Sequence, residues 1–456
     1  MKMKKAILTK ALLIILACTM LLCACRQDPK PAADVINFDT EYPVEMKGTT
    51  FTAHNTYKSD YFREDSSAFN KDLALLSLSM CRCSTIGDAF TTMGFDTPEI
   101  HENKEDDGIN RCSYFFAHRN IDGTDLVAVI ITWGAYGMEW ASNFTIGEKE
   151  EGNRSDHVGF DETSDWLYGM LKDYIDKNFA GKQLKIWIGG YSRGGDLANC
   201  LTCKVIEKKE IKVRQSDLYA YAIEASRSID SEYVHEYLCL HNFVVDSDIF
   251  ASIPPASDAW GLARPGTSVV VSTIPARMNE YLKPITGDEQ SMPFSPDADK
   301  YPTPEKFIEY LMDILLENGK TPLKDAASFR SRQAFYDTVQ ERLTYLLEIL
   351  MKNSKQGLWL VVDQLKEKSV LEIISLISTE GEFYPFVSKI LTDNKIDFDP
   401  DKLENACTLT CALYSNYNIS APLVTLVASA MDNLKYLALC HYPEVVYLML
   451  QNYGSN

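Results

Sequence analysis

The sequence predicts an α/β fold in which a mostly parallel sheet carries helices on both faces and is followed by a large helical cap region. Three observations lead there. The runs Leu126–Ile131, Leu184–Ile188, Leu218–Ile223 and Phe243–Val245 are apolar without alternation, as strands covered on both faces must be. The helical stretches Glu162–Asn178 and Asp196–Lys208 lie between them, and strand-helix-strand order implies parallel strands. From Thr303 onward, apolar residues recur almost entirely at helical spacing.

The chain begins as a targeting signal would. Lys2, Lys4 and Lys5 precede an apolar run, Ala11–Leu16, that is too short to span a membrane as a helix. Leu22-Cys23-Ala24-Cys25 resembles the bacterial lipobox, which implies a signal peptide over residues 1–24 and lipidation of Cys25. The alternative is ordinary secretory cleavage after Ala24 or Ala17. Either way an extracytoplasmic protein is expected, and the lipobox implies one held on a bacterial membrane by its N-terminal lipid. Residues 25–47 are polar, contain Pro29, Pro31 and Pro43, show no apolar periodicity and are expected to form a tether.

A formal charge of −19 over 456 residues, with no Lys/Arg-rich run interleaved with aromatics beyond the N-terminus, excludes a nucleic-acid surface and electrostatic capture by anionic lipids. Of the 12 cysteines, setting aside Cys18, Cys23 and Cys25 leaves an odd number, which cannot fully pair. Cys200/Cys203 and Cys407/Cys411 sit in helical patterns beside apolar residues, where a thiol behaves as a small hydrophobe. Neither they nor Cys81/Cys83 are matched by a second pair or by His at ligand spacing, so buried free thiols are expected rather than a metal site. No cofactor is expected.

Two helices, near Ser67–Met80 and Ile86–Met93, precede the first clear strand, Cys112–His118. The sheet and its helices are expected to occupy residues 48–275, a helical cap or insertion 276–435, and a C-terminal segment 436–456. Within the cap, Thr303 suits an N-cap, Pro304 the first helical position, and Phe307, Ile308, Leu311, Ile314 and Leu315 form a stripe that Gly319 stops. A second stripe runs Phe335, Val339, Leu343, Leu346, Leu350. These stripes need a partner, and packing over the carboxyl edge of the sheet, where α/β folds place ligands, would supply one.

Gly190-Tyr191-Ser192-Arg193-Gly194 carries the chemistry. A serine hydroxyl is a weak nucleophile unless a tight turn presents it to a base, and GxSxG supplies such a turn by flanking the serine with residues lacking bulk. Here the pattern follows the strand Leu184–Ile188 and opens a helix, the context the motif requires. The stretch, continuing Gly195-Asp196-Leu197-Ala198, resembles the class 3 lipases, the fungal-type triacylglycerol lipase family, whose elbow usually reads Gly-His-Ser-Leu-Gly-Gly. The resemblance covers roughly residues 70–272 and a C-terminal His segment, and implies an α/β-hydrolase fold. Tyr191 and Arg193 depart from the family pattern.

In α/β-hydrolases the triad runs Ser, acid, His along the chain. Phe243–Val245 ends a strand, and Asp246 and Asp248 follow it. Asp248-Ile249-Phe250-Ala251-Ser252-Ile253-Pro254 is similar to the family's Asn-Asp-Ile-Val-Pro segment, which favours Asp248, with Asp246 as the alternative. Only His441 follows the acid; His54, His101, His118 and His157 precede Ser192, and His235 and His241 precede the acid. His157 is the rival if chain order fails. Two N–H donors must hold the oxyanion, and Arg193 with the loop Trp133-Gly134-Ala135-Tyr136-Gly137 fits. In the family a hydroxyl residue stands where Ala135 does and donates its side chain as well; Ala135 offers only its N–H. Tyr191 and Tyr136 are expected to border the substrate.

The resemblance therefore implies a serine hydrolase acting on an ester or lipid through Ser192, Asp248 and His441, with a cap that selects the acyl or alcohol group. The alternatives are a surface lipoprotein that keeps the scaffold for binding without turnover and, less favoured, a peptidase.

Overall fold

A computed structural model describes residues 34–44, 49–103, 110–132, 137–272 except 236, 247 and 249, residue 283, 331–351, parts of 360–378, 382–415 and 439–454. The signal segment with Cys25, the stripe after Thr303, and the 133–136 loop with Ala135 and Tyr136 lie outside the described residues.

The expected tether contains a strand. β1 (Val35–Val44) pairs antiparallel with β2 (Thr49–Lys58). Ile36, Phe38, Thr40 and Tyr42 alternate with the exposed Asn37, Asp39, Glu41 and Pro43. The alternation is real, and its polar half hides it. Tyr42 is fully buried, and Ile36 and Phe38 pack on the same core.

The main sheet joins β3 (Glu99–His101), β4 (Ser113–Ile121), β5 (Thr124–Thr132), β6 (Leu184–Tyr191), β7 (Val213–Ile223), β9 (Leu240–Val245) and β11 (Thr267–Val271) in the order β11-β9-β7-β6-β5-β4-β3. The five strands from β5 to β11 in that order are parallel, and β4 and β3 add an antiparallel edge. The short strands β8 (Ile229–Asp230) and β10 (Leu262–Ala263) form a separate pair. This is the mostly parallel α/β-hydrolase-like architecture that the sequence predicts.

Strand periodicity divides the apolar runs between two cores. In β6, Ile186 and Ile188 face one side and Trp187 the other. The first side is covered by α4 (Val158–Phe179) and α5 (Arg193–Lys208) through Leu167, Leu171, Leu197 and Leu201. The second is covered by α1 (Lys71–Arg82), by the β1–β2 hairpin, and by the C-terminal helix Pro443–Asn452. The helix α1 starts later than the sequence suggests because Asn70 caps it, its side chain accepting the Leu73 N–H at 3.1 Å. The other two early helices are α2 (Ile86–Thr92) and α3 (Gly137–Asn143), the latter following β5.

The described helical region contains α6 (Arg332–Phe335), a π turn over Tyr336–Gln340, α7 (Glu341–Met351), α8 (Val370–Ser378), α9 (Phe383–Asp393) and α10 (Pro400–Ser415). The Phe335 stripe divides: Phe335 and Val339 pack with Ile146 and Trp260, whereas Leu346 joins a cluster with Val387, Leu391 and Leu403. Arg332, 1% exposed, anchors the region. Its guanidinium donates to the carbonyls of Ile146 at 2.8 Å, Gly147 at 2.9 Å, Asp156 at 2.7 Å and Ser155. The nine cysteines after Cys25 are all described and none is joined in a disulfide among the described residues; eight of them are buried.

Candidate active site

Ser192 stands between β6 and α5 at φ 56°, ψ −128°. A non-glycine residue there is strained by about 1–3 kcal/mol, so the surroundings must hold it. They do: the Ser192 N–H donates to the Ile223 carbonyl of β7 at 2.8 Å, and its own carbonyl accepts from Gly195 N–H at 2.7 Å and Asp196 N–H at 3.1 Å. The glycines are required by backbone approach. A Cβ on Gly190 would stand 1.9 Å from the Gly194 carbonyl oxygen, one on Gly194 2.7 Å from the Ile131 oxygen, and one on Gly195 3.0 Å from the Ile223 oxygen.

His441 comes from the opposite end of the chain, in the turn Leu439–His441 that leads into α11 (Pro443–Asn452). Its Nε2 is 2.8 Å from Ser192 Oγ and its Nδ1 is 2.5 Å from Asp248 Oδ2. Asp248 is fully buried, and its second oxygen, Oδ1, accepts the Phe250 N–H at 2.8 Å. Burial pushes its carboxyl up, but the adjoining His441 ring and the bonds from His441, Glu224 and Phe250 outweigh burial and hold it below the usual range. An ionised Asp248 takes the Nδ1–H, which leaves the Nε2 lone pair facing the serine hydroxyl. Asp246 is half-buried just after β9, its N–H on the Val271 carbonyl at 3.0 Å, and it is Asp248 that meets the imidazole.

The two residues that depart from the lipase pattern have local tasks. Tyr191 borders the cavity, but its hydroxyl donates to the main-chain carbonyl of His441 and its ring stacks on the imidazole with centroids 5.5 Å apart. It holds the histidine, rather than serving only the substrate as the sequence suggested. Arg193 is 3% exposed. Its guanidinium donates to Asn143 Oδ1 and Asn110 Oδ1, both at 2.9 Å, and to Thr163 Oγ1 at 3.2 Å, over the face of Phe160. Its backbone N–H lies at the first position of α5, where helix geometry provides no intrahelical acceptor, so it is available to an oxyanion.

A cavity of about 380 Å³ opens over Ser192. Asn143 and Phe160 line it from α3 and α4, Phe144 from the loop that follows α3, Phe250 and Ile253 from the loop after β9, and His441 and Tyr442 from the C-terminal segment. Phe250 and Ile253 are 44% and 41% exposed, so its rim is apolar. The described helices dock beside the carboxyl edge of the sheet, against α3 and the 146–156 loop, and none of their described residues lines the cavity. Sequence reasoning missed these wall residues and also Glu224, which lines the cavity directly after β7. A lone carboxyl closing an apolar strand at the ligand edge was the available signal.

His157 belongs to the scaffold. It is 1% exposed, its Nε2 is 3.1 Å from the Asn143 carbonyl, and its ring stacks on Phe160 with centroids 3.9 Å apart. It supports Asn143, through its main chain, and the Phe160 ring, two residues that meet Arg193 and line the cavity.

No protein-family model matches the chain, and no curated protein matches it. Among solved structures, a Rhizomucor miehei lipase in its native propeptide complex is similar over 44% of this chain and 66% of that one, just under two thirds of its length, at 16% identity and a TM-score of 0.34. Rhizomucor miehei triacylglyceride lipase matches over 44% of this chain and 77% of its own at 17% identity and a TM-score of 0.33. A triacylglycerol lipase from Penicillium expansum matches over 35% and 64% at 13% identity and a TM-score of 0.26.

Two predictions follow from the site's construction. Gly190→Ala should abolish the elbow, since its Cβ meets backbone at 1.9 Å, whereas Gly169→Ala in α4 meets nothing within 4 Å. The second change should raise stability by about 0.5–1 kcal/mol through helix propensity, and thermal unfolding of the two variants provides the comparison. Burial also lowers His157 to about 3 from 6.5, only partly opposed by its bond to the Asn143 carbonyl. Between those values the unfolded chain binds a proton that the folded chain refuses, so the neutral ring's contribution to stability is lost as pH falls from about 6.5 to about 3. His157→Gln keeps a donor for Asn143 and should flatten the dependence of Tm on pH across that window.

Proposed function

We propose that the chain is a serine hydrolase that cleaves carboxylic esters. The observation that carries this is the row Ser192 Oγ, His441 Nε2 and His441 Nδ1, Asp248 Oδ2, with separations of 2.8 Å and 2.5 Å, set on a strained strand-to-helix turn. His441 takes the serine proton as Oγ bonds to the acyl carbon. The Arg193 N–H, with the Ala135 N–H proposed as its partner, holds the oxyanion, and Asp248 stabilises the imidazolium. The alcohol leaves with the proton from His441; water then attacks the acyl carbon, yielding a proton to His441, which passes it to Ser192 Oγ as the acyl bond breaks and the acid is released. The lack of a hydroxyl at Ala135 is compatible with slow turnover, since one oxyanion donor is worth about a hundredfold or more.

An apolar rim and a cavity near 380 Å³ support an ester with a hydrophobic acyl or alcohol group, of the lipid or small-ester class. Fluorophosphonate labelling should occur on the wild type and vanish in Ser192→Ala, and His441→Ala should lower ester turnover by about 10⁴-fold or more. An unlabelled wild type would leave the scaffold as a binding protein. Rates on esters of increasing acyl length should change with length; a flat series counts against a lipid-like acyl site.

We also propose that the protein is extracytoplasmic and lipid-anchored through Cys25. The support is the run from Lys2 to Cys25 and its resemblance to a lipobox. Cys25→Ala should move the full-length protein from the membrane fraction to the soluble one, and unchanged membrane partition would remove the anchor.

A further inference from the structure

Asp248 has a second carboxyl against it. Glu224 follows β7 at φ 50°, in the left-handed region, and is 1% exposed. Its N–H donates to the Phe243 carbonyl at 2.9 Å, and the Val245 N–H reaches its two carboxyl oxygens at 3.0 and 3.2 Å. Its carboxyl is also hydrogen-bonded to that of Asp248. A hydrogen bond between two carboxyls requires a proton on one of them, and two buried carboxylates in contact cannot both ionise. Asp248 accepts from two separate donors, the His441 ring at Oδ2 and the Phe250 N–H at Oδ1, whereas the two Glu224 oxygens share the single N–H of Val245, so the anion is better stabilised on Asp248 and Glu224 is the acid.

We propose that Glu224 is a positioning residue of the hydrolytic site, a neutral acid that donates its hydroxyl to Asp248 and fixes the carboxylate that orients His441. The proposal rests on the serine-hydrolase reading of Ser192. The strained backbone at Glu224 fits this task, because strain persists where surrounding contacts over-determine a geometry the site uses. Burial first, then the charge of Asp248, pushes the Glu224 carboxyl well above the usual range. The facing charged groups are Asp248, with His441 beyond it, and Arg264, whose guanidinium is bonded to the Ala225 and Ala251 carbonyls; Asp196 shares the cavity. Neutrality matters for the chemistry. A second negative charge beside Asp248 would favour the imidazolium before the reaction and remove the base, whereas a neutral donor holds Asp248 without adding charge.

Glu224→Leu removes the donor and should lower kcat about tenfold to a hundredfold with KM little changed. Glu224→Gln keeps a neutral acceptor for Val245 and a donor for Asp248, so it should rescue kcat and leave the acidic limb of the kcat/KM profile where the wild type has it. An acidic limb displaced downward by about one pH unit in Glu224→Gln would mean that an ionised carboxyl had been removed, and would overturn the proposal. So would an unchanged kcat in a folded Glu224→Leu. An infrared difference spectrum, wild type minus Glu224→Gln at neutral pH, should show the carbonyl stretch of a protonated acid, and its absence overturns the proposal. That band does not depend on turnover or on the fold of the leucine variant. It therefore separates failure here from failure of the hydrolase reading, which would appear as a wild type that neither labels nor turns over.

Discussion

The close approach of the Gly190–Gly195 backbone to β5 and β7 is the constraint on which the site depends. Ser192 is held by the Ile223 carbonyl of β7, while Gly194 and Gly195 have room for no Cβ against Ile131 and Ile223. The turn therefore exists only where three parallel strands are already in register. Sheet formation positions the hydroxyl, and the later parts of the chain have a fixed point to meet.

His441 has to reach that point from 249 residues further along the chain. The helix that follows it packs against α1 and the N-terminal hairpin. Lys71 Nζ donates to the Gln451 and Tyr453 carbonyls at 3.2 and 3.1 Å, Tyr447 donates to the His54 carbonyl at 2.6 Å, and Val445 and Val446 are fully buried. Tyr191 holds the His441 main chain from the elbow itself. β1, within the segment read as a tether, is thus part of the packing behind His441, and losing it would loosen the imidazole without touching it.

The sheet was legible because buried parallel strands are written as unbroken apolar runs, and Leu126–Ile131 and Leu184–Ile188 fall in β5 and β6. Ser192, Asp248 and His441 were legible through a turn motif and chain order, and the structure brings those three together. β1 was obscured because its inward row is broken by the polar Thr40 between Phe38 and Tyr42, in a stretch that also contains Pro43. Glu224 had no motif to reveal it. Its surroundings depend on which strand lies beside β7, and β9 follows in the sheet only after the intervening excursion through β8. Tyr191 and Arg193 looked like departures from a pattern; one binds the histidine and the other holds α3 and α4 together beneath the cavity.

Arg332 bears on how the cavity wall is held. A buried guanidinium keeps its charge only if its N–H groups are satisfied, and four carbonyls of the 146–156 segment do that here. Gln340 and Gln333 add bonds to the N–H groups of Gly147 and Lys149 at 3.0 and 3.2 Å. The docked helices therefore brace the loop between α3 and α4, and the end of α3, that loop and α4 supply Asn143, Phe144 and Phe160 to the cavity. Among the described residues, the helical region fixes this wall of the cavity from outside. A change in its docking would alter the cavity through the position of Phe144 and Phe160, and through the Asn143 side chain that Arg193 holds.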